Sequence, residues 1–210
     1  MDTTKYTILH DAAGVRIDGF GGAAFDTTRL ATVLPTLSTE TPPAGADKVI
    51  QHNAPGKWGQ AAFVVDGLFA KAHYTYRFLD RSAPFAGTDR LVANWERAAA
   101  LGLPVPAYRG VFAVRRDGEW LWSGILAEYL DGWRNLDKGS QADAALMRRA
   151  IGDLAGKGVR NRDMHCANVM TDGNGSYRVV DLDSLEFGLE PAAAEAAMEE
   201  FFAASLERED

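Results

Sequence analysis

Residues 162–183 of this chain read RDMHCANVMTDGNGSYRVVDLD. Asp163 stands five residues before Asn168, and Asp181 follows Asn168 by thirteen residues. The DGNG run at 172–175 is a strong turn signal between two β-prone runs, so we expect a hairpin here. Such a hairpin would bring Asn168 close to Asp181, which directly follows the second strand. Oxygen-bearing side chains that converge in this way suit a hard cation such as magnesium.

The spacing of this aspartate and asparagine is also that of a kinase catalytic loop. There the aspartate accepts the proton of the acceptor hydroxyl, and the asparagine holds a magnesium ion. A second aspartate, at the end of the next strand, holds magnesium that bridges the phosphates. The alternative is an ordinary hairpin with a polar end, because the pattern D-x-x-x-x-N also arises by chance.

Composition limits the class of protein. The chain has 210 residues, is 47% hydrophobic and 24% charged, and so can form a substantial core. A net charge of −7 argues against a dedicated binder of nucleic acid or of anionic membranes. The single cysteine, Cys166, excludes an internal disulfide and suits a reducing compartment. We find no signal peptide and no membrane span in the sequence, so we expect a cytoplasmic protein.

The first 130 residues have mostly the patterns of a sheet. Apolar runs bounded by turn signals predict strands at Tyr6–Leu9, Val15–Asp18, Val49–His52, Ala61–Val65, Leu68–Tyr74, Val111–Arg115 and Leu121–Tyr129. Helical spacing predicts a helix over Thr28–Leu37 and a longer one from Thr88 or Asp89 to Leu101.

Residues 131–210 have mainly helical patterns. Ser140, with Asp143 three residues later, predicts the start of a helix that ends near Gly156. Pro191 opens a last helix with four apolar residues on one face, and we interpret the aromatic residues among them as core packing and not as a binding surface. The four residues are Met198, Phe201, Phe202 and Leu206.

Lys71 lies in a predicted strand among small and apolar residues. Its ammonium group could enter a cleft and bind phosphate oxygens. The alternative is an edge-strand lysine that prevents aggregation. Glu96, on the helix that follows, is a candidate partner that could orient Lys71, or an ordinary solvated helix residue.

Residues 124–132 (GILAEYLDG) join the two halves. An apolar strand that ends in a short polar connector suits a hinge, in which backbone groups of Glu128 and Leu130 could bond the edge of an adenine. The alternative is simply a strand followed by a turn.

These stretches together resemble the protein-kinase-like fold. The similarity is greatest to the lipopolysaccharide core kinases, the Kdo and heptose kinases of Gram-negative bacteria. It covers roughly residues 49–187, and five stretches carry it: FAKAH (69–73), LGLPVP (101–106), ILAEYLDG (125–132), RDMHCANVM (162–170) and VVDLDS (179–184). By this resemblance Lys71 would bind the α- and β-phosphates of ATP and Asp163 would be the base. Asn168 and Asp181 would hold Mg²⁺.

The chain departs from the family pattern at several positions. Asn161 stands where the catalytic loop usually begins with histidine. Asp183 completes an Asp-Leu-Asp triplet in place of Asp-Phe-Gly, as the family also shows, and could share the metal role. The phosphate-binding loop is poor in glycine: Gly56 and Gly59 are its candidates, and residues 19–22 (GFGG) are an unplaced rival.

The resemblance implies an α+β, two-lobed protein-kinase-like fold with a sheet-rich N-terminal lobe and a minimal helical C-terminal lobe. We expect a single domain over residues 1–210, with the N-terminal lobe and hinge at 1–130 and the C-terminal lobe at 131–210. The expected activity is ATP- and Mg²⁺-dependent phosphorylation of a sugar hydroxyl, in lipopolysaccharide core biosynthesis. The short C-terminal lobe favours a small or lipid-linked sugar acceptor, and peripheral contact with the inner membrane is left open. A pseudokinase-like binding module and a small-molecule phosphotransferase of the same fold are the alternatives.

Overall fold

The β-prone runs of the first 130 residues form one antiparallel sheet. The computed structural model describes residues 3–52, 59–75, 79–85 and 88–207. The sheet has seven strands: β1 (Tyr6–Ala12), β2 (Val15–Phe20), β3 (Lys48–His52), β4 (Gln60–Val65), β5 (Leu68–Tyr74), β6 (Tyr108–Arg116) and β7 (Glu119–Glu128). Their spatial order is β1-β2-β6-β7-β5-β4-β3. All seven predicted strands are therefore confirmed, with ends that differ by up to three residues.

One short helix, α1 (Thr28–Val33), packs on this sheet. It is shorter than predicted and continues as a 3-10 turn over Leu34–Thr36. Pro35 explains the early end, because proline has no N–H and cannot donate the next helical hydrogen bond. The core beneath includes Phe63 and Phe112, both fully buried.

The chain divides into two units. The sheet belongs to the first unit, residues 1–93 and 107–129, and the second comprises residues 94–106 and 130–210. Helix α2 (Asp89–Ala100) has the predicted bounds to within one residue, and Gly102 follows it with a φ of +64°. The stretch 94–106, which belongs to the sheet-rich half in sequence, thus packs with the helical unit.

The helical unit is built on α3 (Gln141–Ala155) and α4 (Pro191–Leu206), which pack on each other. The Ser140 hydroxyl caps α3 by accepting a hydrogen bond from the Asp143 N–H at 3.2 Å, as the sequence predicts. Five short strands complete the unit: β8 (Arg134–Asn135), β9 (Val159–Asn161), β10 (Val169–Thr171), β11 (Tyr177–Val179) and β12 (Leu185–Phe187). The hairpin of β10 and β11 is the one predicted from the DGNG turn; β8, β9 and β12 were not predicted.

The apolar face of α4 is only partly core. Met198 and Phe202 are buried as expected, but Leu206 is 41% exposed and Phe201 is half-buried. The prediction that the aromatic residues of this face pack in the core is therefore confirmed for Phe202 and only partly for Phe201. In the part of the chain that the structure describes, no helix is both long and apolar enough to cross a membrane.

Candidate active site

Asp163 and Asn168 are in direct contact. The side-chain nitrogen of Asn168 donates to the Asp163 carbonyl oxygen at 2.8 Å and to its carboxylate Oδ2 at 3.2 Å. Because both partners can only accept, they fix which end of the amide carries the nitrogen. The amide oxygen of Asn168 is thereby the atom left to face a cation.

The Asp163 loop is anchored at its start. Asn161 is fully buried, and its side-chain oxygen accepts a hydrogen bond from the Asp163 N–H at 2.9 Å. The Arg162 N–H donates to the Ser184 carbonyl at 3.1 Å, which continues the pairing of β9 with β12. The residue that replaces the usual histidine therefore still holds the backbone of the aspartate.

His165 also lies against this carboxylate. Its Nδ1 accepts a hydrogen bond from the Ala167 N–H at 3.2 Å, so the proton of a neutral ring is on Nε2. That nitrogen is 3.4 Å from Asp163 Oδ2. His165 thus packs within the loop, and its contact with Asp163 was not predicted from the sequence.

Asp181 follows the hairpin that carries Asn168. The Val180 N–H donates to the Asn168 carbonyl at 2.9 Å, so the backbone just before Asp181 is tied to Asn168. Asp181 itself has φ +58° and ψ 72°, in the left-handed region. That conformation costs a non-glycine residue roughly 1–2 kcal/mol and is concentrated at functional sites.

The chain turns at Asp181 and does not continue as a strand. Residues Leu182–Ser184 form a 3-10 turn. A continuous extended strand, which would place Asp181 and Asp183 on the same side, is therefore not present at these residues.

Asn94 holds this turn in place and was not predicted from the sequence. Its side-chain nitrogen donates to the buried Leu182 carbonyl at 2.7 Å, and Asn94 is itself only 8% exposed. The available signal was a polar residue on the apolar face of α2, beside Leu91 and Trp95, which are also buried. A polar residue at such a position usually has a hydrogen-bonding partner.

Lys71 lies on β5, an interior strand between β4 and β7. It pairs in register with Ala62 and Ile125 and is 8% exposed. The alternative of an edge-strand lysine is therefore wrong. A buried ammonium group requires polar or charged groups around it, so Lys71 is not a solvated surface lysine, and its role in phosphate binding stays a prediction.

The candidate phosphate loop joins β3 and β4, next to the strand of Lys71. Gly56 lies outside the described residues. Gly59 precedes β4, and a Cβ there would lie 2.8 Å from the Cβ of Tyr74, so the position requires glycine. The rival run at 19–22 begins in β2, which β6 and β7 separate from β5. Sheet order thus favours the loop that contains Gly56 and Gly59.

The remaining candidate binding residues are Glu96, Glu128 and Leu130. Glu96 is half-buried on α2 and belongs to the helical unit, whereas Lys71 belongs to the sheet, so their pairing stays a prediction. The Glu128 N–H donates to the Ala107 carbonyl at 2.8 Å and so is already used. The Leu130 carbonyl accepts from the Trp133 N–H at 3.2 Å.

The residues that could hold magnesium are an amide and a carboxylate, Asn168 and Asp181. Magnesium is commonly held by one or two protein oxygens together with substrate phosphates and water. No group of three or more His, Cys, Asp or Glu side chains suited to a metal occurs within the described ranges. The chemistry of the pair therefore fits a magnesium ion that is bound jointly with a nucleotide.

A depression of about 570 Å³ adjoins Asp163 on the helical unit. Its walls come from the connection before α3, from the Asp163 loop and from α4: Asn135, Leu136, Asp137, Lys138, Asp163, His165, Cys166, Ala167, Phe201 and Ser205. Burial raises the pKa of the Cys166 thiol, against an opposing effect of the Lys138 ammonium. Cys166 is therefore a buried thiol that stays protonated at neutral pH and packs within the loop.

No protein-family model matches the chain, and no curated protein sequence matches it. Solved structures with a similar fold include WaaP in complex with acyl carrier protein, with a TM-score of 0.50 and 17% sequence identity. That match covers 75% of this chain and 70% of WaaP. The fold is protein-kinase-like. A glucosamine kinase also matches, with a TM-score of 0.41 and 14% identity over 95% of this chain and 71% of the other.

The predicted fold class is confirmed: the chain has a protein-kinase-like fold, with one sheet-rich unit and one small helical unit. The resemblance to the lipopolysaccharide core kinases is confirmed at the level of fold. In the described part of residues 130–207, α3 and α4 are the only α-helices, so the helical unit is as small as expected.

Proposed function

We propose that the chain is an ATP- and magnesium-dependent kinase that transfers the γ-phosphate to a sugar hydroxyl, in lipopolysaccharide core biosynthesis. The observation that carries this proposal is the contact between the side chains of Asp163 and Asn168. A hydrogen bond from the Val180 N–H to the Asn168 carbonyl ties the residue before Asp181 to the same loop. In a protein-kinase-like fold, these residues together support phosphoryl transfer.

In this proposal Asp163 is the base. The acceptor oxygen forms a bond to the γ-phosphorus while the bond from that phosphorus to the bridging oxygen of ADP breaks. The hydroxyl proton passes to the Asp163 carboxylate. Asn168, which is bonded to both the carbonyl and the carboxylate of Asp163, keeps the base in position.

The charge that develops on the phosphates needs cationic partners. Asn168 and Asp181 would hold magnesium, which neutralises phosphate charge when it is bound. Lys71 would bind the α- and β-phosphates from its interior strand. The backbone of Glu128 and Leu130 would meet the adenine, with the Glu128 carbonyl as the group for this role, because its N–H is already bonded.

The depression beside Asp163 is the proposed acceptor site. Phe201 offers an aromatic face that can pack on the C–H face of a sugar ring. Asn135, Asp137 and Lys138 offer groups that can bond hydroxyls. A lipid-linked acceptor would bring the protein into peripheral contact with the inner membrane.

The test measures magnesium-dependent consumption of ATP with a panel of sugar acceptors. The rate of the parent protein is compared with that of Asp163→Asn, which lacks the proposed base. Mg-ATP should also raise the melting temperature, because a ligand that binds only the folded state stabilises it by mass action. If millimolar Mg-ATP did not change the melting temperature, the proposal that the chain is a kinase would be ruled out.

A binding module without turnover, like a pseudokinase, is the second candidate, and Asn161 is the observation behind it. In that case Mg-ATP would raise the melting temperature, but no acceptor would increase its consumption. A small-molecule phosphotransferase of the same fold would use the same residues, and the acceptor panel would separate it from a lipopolysaccharide kinase.

A further inference from the structure

A second depression, of about 610 Å³, lies on the helical unit. Its walls come from the segment after α2, from the end of α3 and from the hairpin of β10 and β11: Gly102, Leu103, Pro104, Arg149, Asp153, Lys157, Asn174, Gly175, Ser176, Tyr177 and Arg178. None of these residues lines the depression beside Asp163. The second depression is therefore a separate feature of the unit.

The second depression is cationic in an acidic protein. Arg149, Lys157 and Arg178 line it against one carboxylate, that of Asp153. The chain as a whole has a net charge of −7, so a local excess of positive charge differs from the average surface. The Asp153 carboxylate accepts a hydrogen bond from the Tyr177 hydroxyl at 2.5 Å, which partly satisfies its charge.

Aromatic rings hold two of the cations. The Arg149 guanidinium lies 4.9 Å from the centroid of the Tyr177 ring, and that of Arg178 lies 5.4 Å from the centroid of Trp133. Such contacts restrict the side chains but leave guanidinium N–H groups to bond an anion. The Lys157 side chain is exposed and forms no ion pair with any residue that the structure describes.

We propose that this depression binds a phosphate-bearing ligand, a phosphomonoester or a diphosphate. Two arginines and a lysine around one concave surface suit this chemistry, because guanidinium groups bind phosphate oxygens in a bidentate manner and the lysine adds a point charge. The same group could come from a soluble molecule or from a lipid headgroup. The site is distinct from the proposed nucleotide site and does not depend on phosphoryl transfer.

The test uses inorganic pyrophosphate, titrated calorimetrically into the full chain with EDTA and without nucleotide, so that magnesium-dependent binding at Asp181 is avoided. Two single variants remove a charge from the wall, Arg149→Gln and Lys157→Gln. The matched control is Arg148→Gln, which changes the neighbouring exposed arginine of α3, outside the lining. A parallel arm measures sedimentation with phosphatidylcholine vesicles, with and without phosphatidic acid.

We expect pyrophosphate to bind the parent, and each wall variant to bind about tenfold more weakly, since each loses a charge-assisted contact. Arg148→Gln should bind like the parent. If Arg149→Gln folds poorly because it loses the contact with Tyr177, Lys157→Gln still tests the proposal, because Lys157 makes no such ring contact among the described residues. Binding to phosphatidic acid vesicles alone, with the same sensitivity to the variants, would assign the site to a lipid headgroup.

Two results would overturn the proposal. The first is a parent protein that binds neither pyrophosphate at millimolar concentration nor vesicles with phosphatidic acid. The second is binding that Arg149→Gln and Lys157→Gln weaken no more than Arg148→Gln does, because the anion would then bind elsewhere.

Discussion

The side-chain nitrogen of Asn168 lies 3.2 Å from Oδ2 of Asp163 and 2.8 Å from the carbonyl oxygen of the same residue. One asparagine thus contacts the proposed base with its nitrogen, which leaves its oxygen as the amide atom that could bind the proposed metal. The two functions of the loop are therefore coupled through one amide. Substitution of either residue should affect catalysis, but at different steps.

Asp163→Asn removes the proton acceptor and keeps nearly the same shape. We expect kcat to fall by roughly 10² to 10⁴, the usual effect of losing a general base. Binding of Mg-ATP should be unchanged, because the asparagine at 168 and the aspartate at 181 remain. Steady-state kinetics with the best acceptor of the panel, together with nucleotide titration, would measure both. Turnover near the parent level would show that Asp163 is not the base.

The proximity of Asn168 and Asp181 could be predicted from sequence because its cause is local. The DGNG turn forces a short hairpin, and the register of that hairpin sets Asn168 opposite the residue before Asp181. The seven strands of the sheet were predictable for the same reason. Each is a β-prone run, and tight turns mark the ends of several of them.

What was missed depends on contacts between distant parts of the chain. The Asn94 side chain forms a hydrogen bond with the carbonyl of Leu182, which is 88 residues away in the sequence, and no spacing pattern predicts such a contact. Lys71 could not be assigned to an interior strand without the order of the sheet, because edge and interior strands have similar local patterns. The strands β8, β9 and β12 have two or three residues each, too few for a periodic pattern to be recognised.

Asp181 and Asp183 should differ in their effect on magnesium. Asp181→Asn is expected to abolish magnesium-dependent binding of a non-hydrolysable ATP analogue, since a direct oxygen ligand loses its charge. Asp183→Asn should weaken it less, because the chain turns over Leu182–Ser184 and does not continue the strand that would place Asp183 on the same side as Asp181. Asparagine also tolerates the left-handed conformation of residue 181, so the backbone is preserved.

Titration of magnesium at fixed analogue concentration would measure this difference. The two variants form a matched pair, with the same change of charge two residues apart. Equal losses would mean that both carboxylates reach the cation, and a larger loss for Asp183→Asn would exchange their proposed roles.

Asn94→Leu tests the support of the Asp181 turn. Leucine has the same branching and the same number of side-chain heavy atoms, although its methyl groups are bulkier than the amide, and it cannot donate to the Leu182 carbonyl, which then stays buried without this bond. We expect a loss of roughly 1–3 kcal/mol in the free energy of unfolding, and weaker magnesium-dependent nucleotide binding. Arg90→Gln, at an exposed position of the same helix, is the control and should behave like the parent. Denaturant unfolding and magnesium titration would separate the two effects; unaltered magnesium binding would limit Asn94 to a structural role.

Asp143 gives the helical unit a pH dependence. Hydrogen bonds from Arg134, at 2.5 and 3.1 Å, and from the Asp137 N–H, at 2.8 Å, hold the pKa of Asp143 below its ordinary value. A carboxyl group with a lowered folded-state pKa stabilises the fold above its unfolded pKa, and this stability is lost as pH falls through the folded pKa. Asp143→Asn should therefore cost roughly 1–3 kcal/mol near neutral pH and progressively less below about pH 4.

Melting temperatures of the parent and Asp143→Asn, compared from neutral to acidic pH, would measure this convergence. Glu200→Gln, exposed on α4, is the control and should follow the parent. A difference between parent and Asp143→Asn that stayed constant with pH would mean that shape, and not charge, is what Asp143 contributes.

Phe201 should set the affinity for the acceptor and not for ATP. It lines the depression beside Asp163 but is only half-buried, unlike its neighbour Phe202, which is 3% exposed. Phe201→Leu keeps an apolar side chain of similar size and removes the flat aromatic face. We expect the KM for the sugar acceptor to rise about three- to tenfold, the value of one aromatic contact, while the KM for ATP is unchanged. Leu206→Ala, at an exposed position of the same helix, is the matched control and should leave both constants unchanged. An increase in both KM values, or in that for ATP alone, would show that the acceptor does not bind in this depression.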